Sequence, residues 1–144
     1  AVLYDKMVEK NKTALQVSAY NSASEDYGYF SFYAIPFNET SSETLFNEFD
    51  VEIEKLKNEL IPERAFQKIQ NGLESSYISG TRSTEGIASQ LATYNMLYGN
   101  TNLINDTLKI YQSITREEIK EVANKYFNVE NRAIINYLPK KENK

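Results

Sequence analysis

The chain has 144 residues, 41% of them hydrophobic and 25% charged, the balance of one folded domain large enough to bury a sizeable core. Its formal net charge of -4 offers neither nucleic acid nor an anionic membrane surface an attractive average field, and no apolar run approaches the roughly 20 residues of a membrane span. Cysteine and histidine are both absent, which excludes disulfides, thiolate chemistry, His-based triads and the common zinc ligand sets. Carboxylates, hydroxyls, Lys and Tyr remain, and catalysis by this chain alone is not expected.

Residues 1–10 read as a short helix with Val2, Leu3, Tyr4 and Met7 on its apolar side. It begins without a cap or turn signal, which predicts a domain cut from something longer. Leu15 to Tyr20 alternates apolar and polar residues at period two, a half-buried strand. Asn21 to Asp26 is a polar turn cluster. Tyr27 to Ile35 is an aromatic-rich second strand stopped by Pro36, and the two pair as an antiparallel hairpin.

Ser41 or Ser42 caps the next helix, which carries Leu45, Phe46, Phe49, Ile53, Leu56 and Leu60 at helical spacing. Pro62 breaks it and suits the first turn of another, with Glu63 at its positive end. That helix runs through Phe66, Ile69, Leu73 and Tyr77 to Gly80. The cap region Thr81 to Thr84 starts a further helix, through Ile87, Leu91 and Met96 to Tyr98, and Gly99 closes it by taking the left-handed conformation. Asn102 to Gln112 reads as a short helix. Thr115 and Glu118 then form a T-x-x-E capping box for a helix carrying Ile119, Val122, Ala123, Tyr126 and Phe127. Ala133 to Leu138 reads as a closing strand ended by Pro139. Helices segregated against a small antiparallel sheet make an α+β fold, and a fuller sheet needs strands that precede Ala1.

The wording of these elements carries a resemblance. The Y-G-N turn at Tyr98–Asn100, S-I-T-R-E-E-I, V-A-N-K-Y-F and N-R-A-I-I-N-Y-L-P-K follow one another as in the pitrilysin family of zinc metallopeptidases, the insulinase and mitochondrial-processing-peptidase group. L-Y-D-K-M-V-E-K-N-K-T-A-L-Q-V-S-A-Y resembles that family's S-R-L-Y-x-x-L-R-E-K-x-x-L-A-Y-x-V-S-A. Y-G-Y-F-S-F-Y-A-I-P, I-P-E-R-A-F-Q-K-I-Q-N and S-T-E-G-I-A-S-Q-L-A-T-Y-N-M-L-Y-G-N also resemble family segments, in the right order from Leu3 to Lys140.

The resemblance implies pairs of homologous α+β domains closing around a chamber, with the inverted zinc motif H-x-x-E-H in a first domain. Nothing here matches that motif. It therefore implies that residues 1–140 are a partial, non-catalytic domain with a flexible tail at 141–144, without catalytic residues, metal ligands or a cofactor of its own. Zinc is expected in a catalytic domain outside this chain. The expected partners are that catalytic domain, in the same or a partner chain, and a peptide substrate, with no nucleic acid and no membrane span. In active members an Arg and a Tyr contact substrate; the matching positions here are Val8 and Leu15, which cannot donate those hydrogen bonds. That suits a supporting domain on the zinc-bearing half, or an inactive paralogue. The cysteine-free, Asn- and Lys-rich composition suits a bacterial periplasm or cell envelope.

Tyr20, Tyr29 and Tyr33 are the candidate substrate-binding residues, with Tyr27 beside them, as a peptide-binding wall; half-buried strand aromatics are the plainer reading. Glu52, Glu54, Glu59 and Glu63 form an acidic run that reads as a solvated helix face before it reads as a metal site. Glu117–Glu118 has a sufficient structural role in the cap. Asn11, Asn38 and Asn105 head glycosylation sequons that chance explains in an Asn-rich chain. The leading expectation is a domain that shapes a peptide-enclosing chamber. The alternatives are a structural subunit like the inactive core subunits of respiratory complexes, and a free-standing peptide-binding module.

Overall fold

A computed structural model describes residues 2–138 of the chain. The expected tail at 141–144, the basic pair Lys140–Lys141 and the terminating Pro139 lie outside the described residues. The chain divides into two compact units, one formed by residues 2–58 with 122–138, the other by residues 59–121.

The first unit begins with a helix wound more widely than expected. Tyr4–Lys10 is a π-helix, and its end is fixed by a bond from the Asn11 N–H to the Lys6 carbonyl five residues back (2.8 Å). Lys12 then takes a left-handed φ of 53° and turns the chain into a strand, β1, Ala14–Ala23. Strand β2, Gly28–Pro36, returns antiparallel. Strand β1 is longer than its sequence pattern suggests and β2 is displaced by one residue, and the turn shrinks to Ser24–Tyr27, closed by the Ser24 N–H on the Tyr27 carbonyl (2.8 Å).

Leu15 is an extra residue in β1: Ala14 pairs with Pro36 and Gln16 with Ile35, leaving Leu15 between them as a β-bulge. The bulge changes the inside–outside phase. Ala14 and Val17 both reach the core, while Leu15, expected on the apolar side, is 61% exposed. From there the register is unbroken, and Val17, Ala19 and Asn21 share a face with Ala34, Phe32 and Phe30.

Helix α1, Ser42–Asn58, covers that face. Ser41 is its cap, accepting from the Thr44 N–H at 3.1 Å, and the Asn58 amide donates to the Glu54 carbonyl at the other end. Leu60 therefore lies beyond the helix. Met7, Ala14, Leu45 and Phe49 form the buried core, with Leu3, Val8, Val17, Phe32 and Ala34 packed against it. Phe32 stacks against Phe49 (5.4 Å between ring centres), and Phe127 closes on Phe30 and Phe32 at 5.1 and 5.8 Å. Ala123, on helix α5 (Arg116–Tyr126), is also buried.

The closing strand is a correction. Residues 132–138 join no ladder, and the sheet of the described residues has two strands. A strand needs a partner's carbonyls and amides. This segment is instead held by side chains: Arg132 pairs with Asp50, and the Ser42 hydroxyl donates to Asn136 Oδ1. Ile135 and Tyr137 remain 88% and 97% exposed.

The second unit is helical: α2, Glu63–Gly80; α3, Thr84–Tyr98; α4, Leu103–Ser113. Pro62 stands just before α2 at ψ 136°, and Glu63 in the first turn pairs with Arg116 (3.3 Å). Ser83 caps α3 by accepting from the Gly86 N–H. Gly99 ends it at φ 62°. The Tyr77 hydroxyl donates to the Ile104 carbonyl, joining α2 to α4, and the Tyr94 and Thr107 hydroxyls meet at 2.9 Å between α3 and α4. The architecture is α+β, with a small antiparallel sheet and a majority of helix.

Candidate functional site

The hairpin has two faces, and among the described residues of the first unit α1 covers one of them. The register that turns Val17, Phe32 and Ala34 to the core sends Gln16, Ser18, Tyr20 and Ser22 to the opposite face, together with Tyr29, Ser31, Tyr33 and Ile35. The three tyrosines named from the sequence thus stand on one surface. Tyr20 faces Ser31 directly, and Tyr33 faces Ser18. Tyr29 lies on the diagonal from Tyr20, with ring centres 6.1 Å apart and planes at 75°, an edge-to-face pair. All three are about half exposed. Tyr27 differs: it sits in the turn, 75% exposed and outside the ladder.

Tyr20 is also electrostatically distinct. The Ser31 hydroxyl, and after it Tyr29, favour its phenolate and hold its pKa below the ordinary phenol value, against a smaller upward push from burial. Ser31 escapes a reading of the sequence because its role depends on cross-strand register. The signal that finds it is the position of the turn, from which Tyr20 opposite Ser31 follows by counting.

The corner where the π-helix meets β1 holds the other pair of positions of interest. Val8 packs against the core and Leu15 stands on the bulge. Glu48 of α1 clamps the connection between them, accepting from the Asn11 amide and, at 2.6 Å, from the Thr13 hydroxyl. Neither Val8 nor Leu15 carries a side-chain hydrogen-bond donor at this corner. Because the Asn11 amide is engaged by Glu48, and Asn105 donates to Asn102 at the start of α4, two of the three sequon asparagines have structural roles.

Three of the four carboxylates of the acidic run, Glu52, Glu54 and Glu63, are held in ion pairs. Glu52 is bonded by Lys6 and Lys55, both at 2.9 Å; burial pushes its carboxyl up and the two ammonium groups outweigh that, leaving it below the usual carboxylate value. Glu54 pairs with Lys57 at 2.7 Å, and that hydrogen bond lowers its pKa. Glu63 belongs to Arg116. Glu118 serves the capping box. Among the described residues no three potential metal ligands converge, and the chain offers no imidazole or thiolate, so these residues do not fit a zinc ion. No described helix is long and apolar enough to cross a membrane.

The sequence profile of the peptidase M16 inactive domain matches residues 1–73, the π-helix through the middle of α2. A protease from Helicobacter pylori superposes with a TM-score of 0.81 at 25% identity, covering 89% of this chain and 31% of that one. The periplasmic protease PqqL from Escherichia coli superposes at 0.69 and 18% identity, covering 85% and 14%, a likeness of fold. This chain thus spans under a third of the length of either. No curated protein sequence matches it.

Proposed function

This chain belongs to the peptidase M16 inactive-domain family, the pitrilysin-like group its sequence resembles, and from that premise we propose that it is a non-catalytic domain of a zinc endopeptidase. In this reading residues 1–140 form one domain of partial extent. Support for treating both units together is that the structural likeness to the Helicobacter pylori protease runs over 89% of the chain. The zinc and the water it activates belong to a catalytic domain outside this chain, since the described residues offer no group that can hold them.

The work assigned to the domain is to support that catalytic partner and to form part of the wall of a peptide-enclosing chamber. The observation that carries the reading is the hairpin face opposite α1, on which Tyr20, Tyr29 and Tyr33 stand together. Tyrosine brings a large rigid surface at low conformational cost, and serine adds adaptable hydrogen bonding, a combination suited to holding varied peptide. Val8 and Leu15 favour support over chemistry: an apolar pair gives no donor to a peptide carbonyl or oxyanion. The same pair also favours the second reading, an inactive paralogue with a structural role.

The test is photocrosslinking in the full-length polypeptide. A benzophenone amino acid placed at Tyr29 or Tyr33 is expected to capture an unfolded peptide, whereas the same group at exposed Lys68 on α2 is not. Equal capture at the three positions, or none at Tyr29 and Tyr33, overturns the wall assignment.

A further inference from the structure

Of the chain's asparagines, Asn71 alone is followed by glycine. That step carries a chemistry of its own. The backbone nitrogen of the following residue attacks the asparagine Cγ, ammonia leaves, and a succinimide ring closes. Water then opens the ring at either carbonyl, giving aspartate or isoaspartate, whose backbone runs through the side-chain carbon. Glycine in the second position favours closure because no Cβ obstructs the approach. Every other asparagine precedes a residue with a side chain; the smallest of these, Ser22 after Asn21, is held in the ladder of β1.

The step lies in the interior of α2, with Asn71 exposed and nothing among the described residues within 4 Å of a Cβ placed on Gly72. Neighbours therefore do not hinder the reaction; the helix itself does. An interior helical N–H is directed at the carbonyl four residues back, away from the preceding side chain, so the ring closes only where the helix has opened. The two halves of α2 are held unequally. The N-terminal half carries Phe66, the buried residue of the helix. Beyond Gly72, Leu73 and Ile78 are 39% and 41% exposed, and the Tyr77 hydroxyl ties this half to α4 by donating to the Ile104 carbonyl. Glycine in a helix interior weakens the junction between the halves further.

We propose that Asn71 is a self-modification site, deamidating whenever the C-terminal half of α2 opens and so recording those openings in a one-way chemical change. Ammonia is lost to solvent, and the change does not reverse. The product also hinders the helix from re-forming as it was. Isoaspartate adds a backbone carbon that breaks the helical repeat. Either product places a carboxylate one turn from Glu74, which lines the same shallow groove, and like charges at that spacing destabilise a helix. The site is independent of the chamber-wall reading: water is its only co-reactant.

The experiment holds the full-length polypeptide in mildly alkaline buffer and follows the amide-to-acid mass gain at each asparagine of this chain by peptide mapping, with isoaspartate identified by enzymatic methylation. Asn71 is expected to convert first, and roughly ten-fold or more slowly than in urea concentrated enough to unfold the chain. Tyr77→Phe removes the hydroxyl tied to α4 and is expected to raise the native rate about three-fold or more, leaving the rate in urea unchanged. Glu52→Gln, a destabilising change in the other unit, is expected to leave the native rate where it was. Gly72→Ala is expected to slow conversion in both conditions. Earlier conversion of another asparagine in the native polypeptide overturns the proposal, as do equal rates at Asn71 with and without urea. A native rate unmoved by Tyr77→Phe, or raised as much by Glu52→Gln, shows that opening of this half of α2 does not set the rate and overturns it as well.

Discussion

Gly86, in the first turn of α3, lies so close against Gly80 at the end of α2 that a Cβ built on it would overlap the Gly80 carbonyl oxygen. Real carbon atoms do not approach backbone oxygen so nearly, so the backbone of one helix or the other must shift. Gly86→Ala gains about 1 kcal/mol of helix propensity and forfeits more through forced backbone movement, which costs about 1–3 kcal/mol in overpacked sites. We expect net destabilisation in urea unfolding. Gly72 provides the internal contrast. It is mid-helix in α2 with nothing within 4 Å of the same added carbon, so Gly72→Ala should stabilise by about 0.5–1 kcal/mol. Two substitutions of identical chemistry should therefore move the midpoint in opposite directions, and movement in the same direction would refute the contact.

The capping box at α5 makes a sharper local prediction. The Thr115 hydroxyl accepts from the Glu118 N–H at 3.2 Å, and the Glu118 carboxylate accepts from the Thr115 N–H at 2.7 Å. Thr115→Ala removes one of these bonds directly and should cost about 1 kcal/mol, while Thr115→Ser should retain most of the stability. If unfolding of the Ala and Ser variants coincides with the parent, the cap contributes nothing.

What can be read from the sequence divides along the range of the interaction. The caps at Ser41, Ser83 and Thr115 and the left-handed stop at Gly99 each depend on residues within about four positions; Thr115 and Gly99 are legible in the order of the residues alone, whereas the order narrows the other two only to Ser41 or Ser42 and to the region Thr81 to Thr84. The bulge at Leu15 is not, because it arises from how β1 meets β2, and alternation alone puts Leu15 on the wrong side. The π winding of Tyr4–Lys10 likewise has no short-range signature. Ala133–Leu138 has the β-branched and aromatic content of a strand, yet content supplies no hydrogen-bond partner. The tyrosine face is half legible: Tyr29 and Tyr33 share a face by period two, but Tyr20 joins them only through the register.

Glu52 ties the π-helix to α1 through Lys6, and it gives the acid limb of stability a named contributor. Its folded pKa is depressed below the ordinary carboxylate value of 4.5. A depressed carboxyl contributes stability that is fully present above the unfolded pKa and is lost as pH falls through the folded one. Glu52→Gln should therefore lower stability near neutrality and flatten its decline below about pH 4.5. Unfolding midpoints measured at several pH values check this. A decline as steep in the variant as in the parent would remove Glu52 from the account.

Tyr20 offers a direct reading of the outward face. Its phenol is held below the usual value of 10.0, first by the Ser31 hydroxyl and then by Tyr29, whereas Tyr77 is raised, chiefly by burial and then by Tyr94. Phenolate absorbance followed against pH, read as the difference between the parent and single-tyrosine variants, should therefore show Tyr20 titrating earlier than Tyr77. Tyr20→Phe should delete the earlier stage and leave Tyr77 in place. Ser31→Ala should move that stage upward without deleting it, because Tyr29 still acts on the same phenol. The sign matters for the proposed peptide site: a phenol that gives up its proton more readily is also the better hydrogen-bond donor to a peptide carbonyl when neutral. If Ser31→Ala leaves the early stage unmoved, the cross-strand hydroxyl is not what sets Tyr20 apart.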